Sequence, residues 1–339
     1  MSSTRAVAPA YAWFGGRLAT GLVDVTDDLG ALDGSGWWAV VLGFEGEVRC
    51  ARFADVREEA LPRAPWPGVP ATSWTSSLSR SAYVAGVGRV REGIAAGDYY
   101  QVNLCRVLSA PLPGGADPAG LAGLLARGNP APYAGAVVLP DHDLAVVSAS
   151  PELFLRRAGD VVESGPIKGT APTADGLTAK DHAENVMIVD LVRNDLGAVA
   201  VTGTVEVPSL CAVEAHPGLV HLVSTVRARL RRDAGWADLL AASFPPGSVT
   251  GAPKSSALTA IAELEPAPRG PYCGAVGWVD ADRREAVLAV GIRTFWVAEG
   301  RLHLGVGAGI TWGSDAGREW DETELKARRL LAVAAEEAR

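Results

Sequence analysis

Two charged residues adjoin apolar strands, where burial would change their chemistry. Lys168 lies in the turn SGPIKGT, and Glu152 stands between Pro151 and an apolar strand. Desolvation lowers the pKa of a lysine and raises the pKa of a carboxyl group. A buried Lys168 would therefore be a neutral amine nucleophile, and a buried Glu152 would be a general acid. Taken singly, each is more often a solvated side chain, on a turn or on an edge strand.

Two acidic pairs indicate a cation site. Asp181 and Glu184 fall on one predicted helix, and Glu319 and Glu322 fall on another. A spacing of three puts both carboxylates of a pair on one helix face, where like charges repel. Two such faces directed at each other would need a cation, and oxygen ligands suit Mg²⁺. The alternative is two solvated acidic faces near helix N-termini, where the macrodipole favours negative charge.

Other residues could hold an anion. Arg293 lies within an apolar strand and needs an anionic partner, either a protein carboxylate or a substrate carboxylate. Tyr272 lies before another apolar strand. The glycine-rich stretches 305–310 and 247–255 match neither the dinucleotide fingerprint nor a P-loop, but their N–H groups could bind carboxylates. His221 is about as often a core histidine as a catalyst.

Composition limits the class of protein. The 339 residues are 48% hydrophobic and 21% charged, with a net charge of -8. This predicts a globular chain and argues against nucleic acid or anionic membrane surfaces as partners. The sequence has no apolar run near the ~20 residues that span a bilayer and no signal-peptide pattern, so we expect a cytoplasmic protein. Four widely spaced cysteines indicate neither a zinc site nor a disulfide framework.

The elements that must position these residues mix strands and helices without regular βαβ alternation. Helices are predicted over 82–97, over 178–197, and from Ser314 as N-cap to about Glu336. Strands are predicted within 37–53 and at 101–108, 135–139, 144–148, 202–207, 219–227, 273–281, 286–297 and 301–306.

This pattern predicts an α+β fold. We expect a single large domain of two mostly antiparallel β-sheets, with helices packed around and between them. Residues 1–75 would form a short N-terminal strand segment that completes the sheet. Residues 76–339 would form the catalytic core.

Taken together and in this order, the motifs resemble the chorismate-utilising enzyme family. The resemblance covers nearly all of residues 82–335. The matching stretches are GDYYQVNL (97–104), SASPELF (148–154), PIKGT (166–170), ENVMIVDLVRNDLG (184–197), VHLVSTV (220–226), FPPGSVTGAPK (244–254), RGPYCGAVG (269–277), GIRT (291–294), GAGI (307–310) and EWDETELKA (319–327). Lys168 and Gln101 are similar to the residues of the members that aminate C4, the aminodeoxychorismate synthases (component I).

The resemblance implies Mg²⁺ as the cofactor and chorismate as the substrate. Glu184 and Glu322 resemble the metal ligands, with Asp181 and Glu319 behind them. The metal would bind the ring carboxylate of chorismate and draw electrons from the ring. The implied substrate-binding residues are Gly307, Ala308 and Gly309 for the ring carboxylate, Tyr272 and Arg293 for the enolpyruvyl carboxylate, and Gln101, Thr250 and Lys326 in less defined roles.

The implied catalytic residues are Lys168, Glu152 and, in a less defined role, His221. Lys168 would attack C2 while Glu152 protonates the departing 4-hydroxyl. Ammonia would then add at C4 and expel the lysine, giving 4-amino-4-deoxychorismate on the way to 4-aminobenzoate and folate. Such an enzyme is classed as a transferase of the transaminase type. Since the sequence carries no glutaminase signature, a separate glutamine amidotransferase subunit would supply the ammonia.

Other functions stay open. Anthranilate synthase component I, or a specialised-metabolism enzyme that makes a related amino-chorismate, would share these motifs. A pyridoxal-phosphate enzyme would use Lys168 or Lys254 as its Schiff base, but the sequence shows no phosphate cup. A catalytically inactive binding subunit is disfavoured because the proposed catalytic residues and metal ligands are present.

Overall fold

The computed structural model describes residues 9–171, 173–216 and 219–338. The strands of this part of the chain are β1 (Tyr11–Phe14), β2 (Arg17–Thr26), β3 (Trp37–Leu42), β4 (Val48–Glu58), β5 (Thr75–Ser76), β6 (Gln101–Pro111), β7 (Tyr133–Leu139), β8 (Leu144–Ser150), β9 (Leu153–Ala158), β10 (Val161–Gly165), β11 (Ile167–Ala171), β12 (Glu206–His216), β13 (Leu219–Arg229), β14 (Gly251–Ala252), β15 (Ala275–Asp280), β16 (Glu285–Val290), β17 (Thr294–Ala298) and β18 (Arg301–Ile310). The α-helices are α1 (Arg80–Ala96), α2 (Pro118–Gly128), α3 (Ala179–Gly197), α4 (Trp236–Ser243), α5 (Lys254–Leu264) and α6 (Ala316–Ala334).

The predicted α+β class and the antiparallel pairing are confirmed. All strand pairs among the described residues are antiparallel, and the strands connect into one continuous sheet. The central pair is β6 with β18, which runs from Pro111 opposite Arg301 to Val102 opposite Ile310. The two sheets that we predicted therefore share hydrogen-bonded edges rather than standing apart.

Two groups of buried side chains form the core. Strand β3, with the sequence WWAVVL, is buried along its whole length, as expected for a strand covered on both faces. It belongs to the larger core, which also draws on α1, α3, α4 and α5. The smaller core lies under α2 and α6, and among its fully buried members are Trp66, Leu121, Leu125, Phe295 and Leu302.

Local capping explains where the site helices begin. The Thr178 side chain accepts a hydrogen bond from the N–H of Asp181, and the Asp181 carboxylate accepts one from the N–H of Thr178. This capping box starts α3 at the predicted position. The prediction that Ser314 caps the last helix is wrong: Asp315 accepts from the N–H of Arg318, and the Ser314 hydroxyl accepts from the N–H of Thr311.

The N-terminal strands belong to the same sheet as the rest. Strand β1 pairs with β7, and β3 pairs with β15, so strands β1–β4 extend the sheet formed by later residues. The boundary between residues 1–75 and 76–339 stays a prediction. Among the described helices, none combines the length and the apolar composition that crossing a bilayer requires.

Candidate active site

Lys168 lies on β11, and its side chain is partly buried. Strand β11 pairs with β13 through Lys168 opposite Leu222. The Nζ atom donates a hydrogen bond to the backbone oxygen of Ser248 at 3.2 Å. Burial lowers the pKa of Lys168, even though nearby carboxylates oppose that shift. The charged side chains that act on this amine are Glu184, Glu152, Lys326 and Glu322.

Glu152 lies between β8 and β9 and is 4% exposed. Its backbone is fixed on both sides, because its N–H donates to the Ser150 hydroxyl and its carbonyl accepts from the N–H of Val290. Burial raises the pKa of Glu152, against the opposing hydrogen bond from the Ser248 hydroxyl and the charge of Lys168. A carboxyl group in this setting retains its proton to a higher pH than usual, as a general acid must.

Ser248 contacts both residues, and our sequence analysis missed it. It is 7% exposed and lies in a short 3₁₀ helix, Gly247–Val249. The sequence analysis chose Thr250 from the same motif. The Thr250 hydroxyl instead donates to the carbonyl of Pro246 at 3.0 Å and closes the turn. Sequence alone does not distinguish the two hydroxyls, because the turn geometry decides which one lies near Glu152.

Gln101 is buried beside Lys168 without a hydrogen-bond partner. It is 0% exposed, and neither its amide oxygen nor its amide nitrogen bonds to any described residue. A Cβ placed on Gly309 would lie 2.8 Å from Gln101 Nε2 and 3.5 Å from Lys168 Nζ, so the three residues surround one point. An unsatisfied buried amide costs about 1–3 kcal/mol. A ligand with donors and acceptors would offset that cost.

The glycine-rich stretch is the end of β18 rather than a phosphate-binding loop. Strand β17 pairs with β18 only as far as Leu304. Within the described ranges, no strand covers Gly305–Ile310 on the side opposite β6, so this edge can offer N–H groups to a carboxylate. A Cβ at Gly305 would overlap the ring of Tyr272, which explains the need for glycine at that position.

Arg293 and Tyr272 have the features of anion-binding residues to different degrees. Arg293 has a left-handed backbone (φ 51) between β16 and β17. Burial lowers its pKa, and its guanidinium forms no ion pair or hydrogen bond with the described residues. Tyr272 is 4% exposed, and its hydroxyl accepts a weak hydrogen bond from the Cys105 thiol. Arg293 is therefore free to clamp a carboxylate.

Two carboxylates approach Lys168 from different helices. Glu184 belongs to α3, and its buried Oε1 atom accepts no hydrogen bond but lies 3.5 Å from the Lys180 ammonium. Glu322 belongs to α6 and pairs with Lys326 at 2.7 Å. Burial would raise the pKa of Glu322, but the cations, above all Lys326, outweigh that effect and lower it. Glu322 is therefore ionised.

Asp181 and Glu319, the acidic residues predicted to lie behind Glu184 and Glu322, make different contacts. The Asp181 carboxylate caps α3 and accepts hydrogen bonds from both the N–H and the hydroxyl of Thr178. Glu319 is 7% exposed, and burial raises its pKa against the effect of a hydrogen bond with Ser314. The described part of the chain holds no group of three or more His, Cys, Asp or Glu side chains arranged for a metal ion. Two carboxylates remain, which is the number that Mg²⁺ takes when substrate and water complete its shell.

The remaining predicted residues lie at the edge of this arrangement or outside it. Lys326 donates from Nζ to the carbonyl of Gly307 at 2.9 Å and so joins α6 to β18. His221 is 3% exposed and stands opposite Thr170 in the β11–β13 pair. Lys254 pairs with Asp195 at 2.9 Å, so its amine is engaged in an ion pair.

A second buried polar cluster includes Asn103, which lies two residues after Gln101 on β6. We call it the arginine cluster: Arg269, Glu265, Asn103 and Val249. Arg269 is 1% exposed and donates to both carboxylate oxygens of Glu265 and to the carbonyls of Val249 and Asn103, at 2.6 to 2.9 Å. Through Val249, it fixes the turn that carries Ser248.

Comparisons with known proteins identify relatives that align with most of this chain. The profile of the chorismate binding enzymes matches residues 46–332. The chain is 43% identical over 272 residues to anthranilate synthase component 1 of Streptomyces coelicolor and 38% identical over 313 residues to aminodeoxychorismate synthase component 1 of Salmonella typhimurium. These alignments cover 77% and 87% of this chain, and 52% and 68% of the relatives. The chain thus spans about half to two thirds of their length.

Solved structures share the fold. An isochorismate synthase from Bacillus anthracis, described as specific for 2,3-dihydroxybenzoate, superposes with a TM-score of 0.79 at 26% identity. That superposition covers 96% of this chain and 95% of the other. Anthranilate synthase component I from Streptococcus pneumoniae gives a TM-score of 0.78 at 23% identity, over 96% of this chain and 91% of the other. The second likeness shows the fold alone.

Proposed function

This chain belongs to the family of chorismate binding enzymes, and within that family we propose that it is component I of an aminodeoxychorismate synthase. It would convert chorismate and ammonia into 4-amino-4-deoxychorismate. The observation that carries the proposal is the partly buried amine of Lys168. Its pKa is lowered by burial, and it lies beside Glu152 and the unpartnered amide of Gln101. A lysine amine in this position can act as a nucleophile and form a covalent bond to the substrate.

The proposed reaction needs one nucleophile and one acid. The neutral Lys168 amine forms a bond to C2 of chorismate, both ring double bonds shift by one position towards C4, and the C4–oxygen bond breaks. Glu152 gives its proton to that oxygen, which leaves as water. Ammonia then bonds to C4, both double bonds return to their original positions, and the C2–Nζ bond breaks. The surplus proton of the ammonium returns to Glu152. Chorismate and ammonia thus give the 4-amino product and water, and both residues are regenerated.

The substrate's two carboxylates match two groups of donors. Arg293 suits the enolpyruvyl carboxylate, because its guanidinium is partly buried and without an anionic partner in the described chain. The free edge of Gly307–Gly309 suits the ring carboxylate. Glu184 and Glu322 would hold Mg²⁺ next to that carboxylate. When bound, the ion would stabilise negative charge on the ring substituent.

The proposed reaction needs a source of ammonia, which a partner protein would supply. The relatives from Salmonella typhimurium and Streptomyces coelicolor are named component 1, which implies a second component. We propose that a glutamine amidotransferase delivers ammonia to this chain, and that free ammonium replaces it in vitro. The product would serve 4-aminobenzoate and folate synthesis.

A second candidate is anthranilate synthase component I. The observation that favours it is the 43% identity to the Streptomyces coelicolor anthranilate synthase component. A 2-amino-4-deoxychorismate synthase of Streptomyces globisporus, 39% identical over 295 residues, represents a further amination outcome. These alternatives place nitrogen at C2, whereas Lys168 attack at C2 reserves C4 for ammonia.

The decisive experiment is product identification. The protein is incubated with chorismate, Mg²⁺ and ammonium chloride, and the products are separated and assigned by mass spectrometry and NMR. We expect nitrogen on C4 with the enolpyruvyl group retained. Nitrogen on C2, or anthranilate with released pyruvate, would reject the proposal in favour of the second candidate. A reaction without Mg²⁺ serves as the control for the metal.

A further inference from the structure

We propose that Ser248 is a positioning residue that sets the geometry between the Lys168 amine and the Glu152 carboxyl group, using its carbonyl for one and its hydroxyl for the other. The inference rests on the proposed function, because it concerns the same nucleophile and the same acid. Ser248 makes no contact with the substrate in this scheme. It acts through Lys168 and Glu152, which react with the substrate.

The carbonyl of Ser248 orients the amine. A neutral lysine amine has two hydrogens and one lone pair, and one hydrogen is directed to the Ser248 oxygen at 3.2 Å. Holding that hydrogen restricts rotation about the last side-chain bond, so the lone pair keeps a limited set of directions. Side-chain rotation of a lysine is otherwise among the most costly to freeze. The hydrogen bond therefore prepares the amine for attack.

The hydroxyl of Ser248 orients the acid. Ser248 and Glu152 line the same small cavity, and hydrogen bonding to the Ser248 side chain lowers the pKa of the Glu152 carboxyl group, which is 4% exposed. When Glu152 is protonated, a hydroxyl that donates to its carbonyl oxygen leaves the acidic proton free for the substrate's leaving oxygen. One residue thus contacts both ends of the proposed reaction.

Several buried hydrogen bonds fix the conformation of the turn that carries Ser248. Arg269 donates to the carbonyl of Val249 at 2.9 Å, and the N–H of Asn103 donates to the carbonyl of Thr250 at 2.7 Å. The Thr250 hydroxyl closes the turn onto Pro246. All these groups are buried, so little solvent competes for the hydrogen bonds. A fixed turn is what a positioning role requires.

The test compares three variants for kcat, KM and pH dependence of 4-amino product formation. Ser248→Ala removes the hydroxyl, and Ser248→Thr retains one. Ser243→Ala is the matched control: Ser243 lines the same small cavity and is 4% exposed, but its hydroxyl donates to the carbonyl of Leu239 within α4. Circular dichroism and the thermal midpoint establish that each variant is folded.

We expect Ser248→Ala to lose roughly 10- to 10²-fold in kcat with little change in the KM for chorismate. The pH limb that reports the acid should move to higher pH, because the lost hydroxyl normally lowers the pKa of Glu152. Ser248→Thr should recover most of kcat and the original limb. Ser243→Ala should leave both unchanged.

Three results would overturn the inference. They are an unchanged pH profile and kcat in Ser248→Ala, an equal defect in Ser248→Thr, or an equal defect in Ser243→Ala. If wild type forms the 4-amino product but Ser248→Ala is unaffected, only the role of Ser248 falls. If wild type forms another product, the proposed function falls as well, since Lys168 then has no bond to make.

Discussion

Strand β6 carries two buried polar groups that differ in how they are satisfied. At Asn103, the backbone carbonyl accepts from Arg269, whose N–H groups are distributed over three partners. At Gln101, two residues earlier on the same strand, the side-chain amide has no hydrogen bond to any described residue. Both positions are buried from solvent.

This difference distinguishes polar residues that stabilise the fold from polar residues that remain available to bind a substrate. The arginine cluster is a complete network, and such networks rigidify the fold around them. The amide of Gln101 and the guanidinium of Arg293 lack partners within the described chain, although each is buried or partly buried, and the buried Oε1 atom of Glu184 accepts no hydrogen bond. Polar groups left without partners in native proteins call for an explanation, and substrate binding is the one that fits here. Each prediction below tests one side of this comparison.

The largest expected effect is on the site. Lys168→Ala should reduce formation of the 4-amino product by roughly 10⁴-fold or more, because it removes the nucleophile and no neighbouring group replaces it. The free energy of unfolding should change little, because the variant loses only a partly buried amine that makes one hydrogen bond. Product analysis by mass spectrometry measures the effect, and full activity in this variant would reject the nucleophile role.

Next in size is Glu152→Gln, for which we expect about a 10²- to 10⁴-fold loss of kcat. Activity of wild type should rise with pH through the lowered pKa of Lys168, as the amine becomes neutral. It should fall again through the raised pKa of Glu152, as the acid loses its proton. Both limbs belong to the coupled pair. The variant should lack the falling limb, and a two-limbed profile identical to wild type would contradict the assignment.

On the scaffold side, Glu265→Ala should lower the free energy of unfolding by about 3–5 kcal/mol, because it leaves the Arg269 charge buried and unpaired. Urea unfolding followed by tryptophan fluorescence measures this. The matched control is Glu263→Ala, two residues earlier at the end of α5, where the pair with Arg89 is exposed on both sides. That control should stay within ~0.5 kcal/mol of wild type, and equal losses in the two variants would remove the distinction.

The smallest expected effect is on Gln101. Gln101→Met should leave the free energy of unfolding unchanged or raise it by about 1–3 kcal/mol, since an unsatisfied amide is replaced by an apolar side chain of similar shape. Amination should nevertheless decline. The control is Asn185→Leu, which removes a buried amide that bonds to Leu222 and Ser224 and should be destabilising. If the two variants lose stability equally, the comparison fails.

Much of the fold follows from local patterns in the sequence. Helix α1 ends at Gly97 in the left-handed conformation, as predicted from the glycine, and α3 starts at its capping box. The strands predicted within 37–53 are also confirmed. These elements have strong local signals, either a cap or a continuous apolar run.

Elements whose shape depends on packing were missed. Helix α2 contains three glycines, which disfavour a helix in isolation. A Cβ at Gly120 would approach the carbonyl of Ala64 to 2.6 Å, so close packing determines that residue type. The site shows the same limit. Lys168 and Glu152 stood out by their neighbours, whereas Ser248 resembles Thr250 in sequence, and the missing partners of Gln101 depend on the tertiary structure.

The pairing of β6 with β18 also has a consequence for synthesis on the ribosome. Gln101 stands at the start of one strand and Gly309 on the other, so the pocket needs segments about 200 residues apart in the chain. Contacts of such long sequence separation form late and slowly. A nascent chain that has not yet extended beyond residue 310 leaves β6 without β18, and unpaired strand edges of this kind favour aggregation.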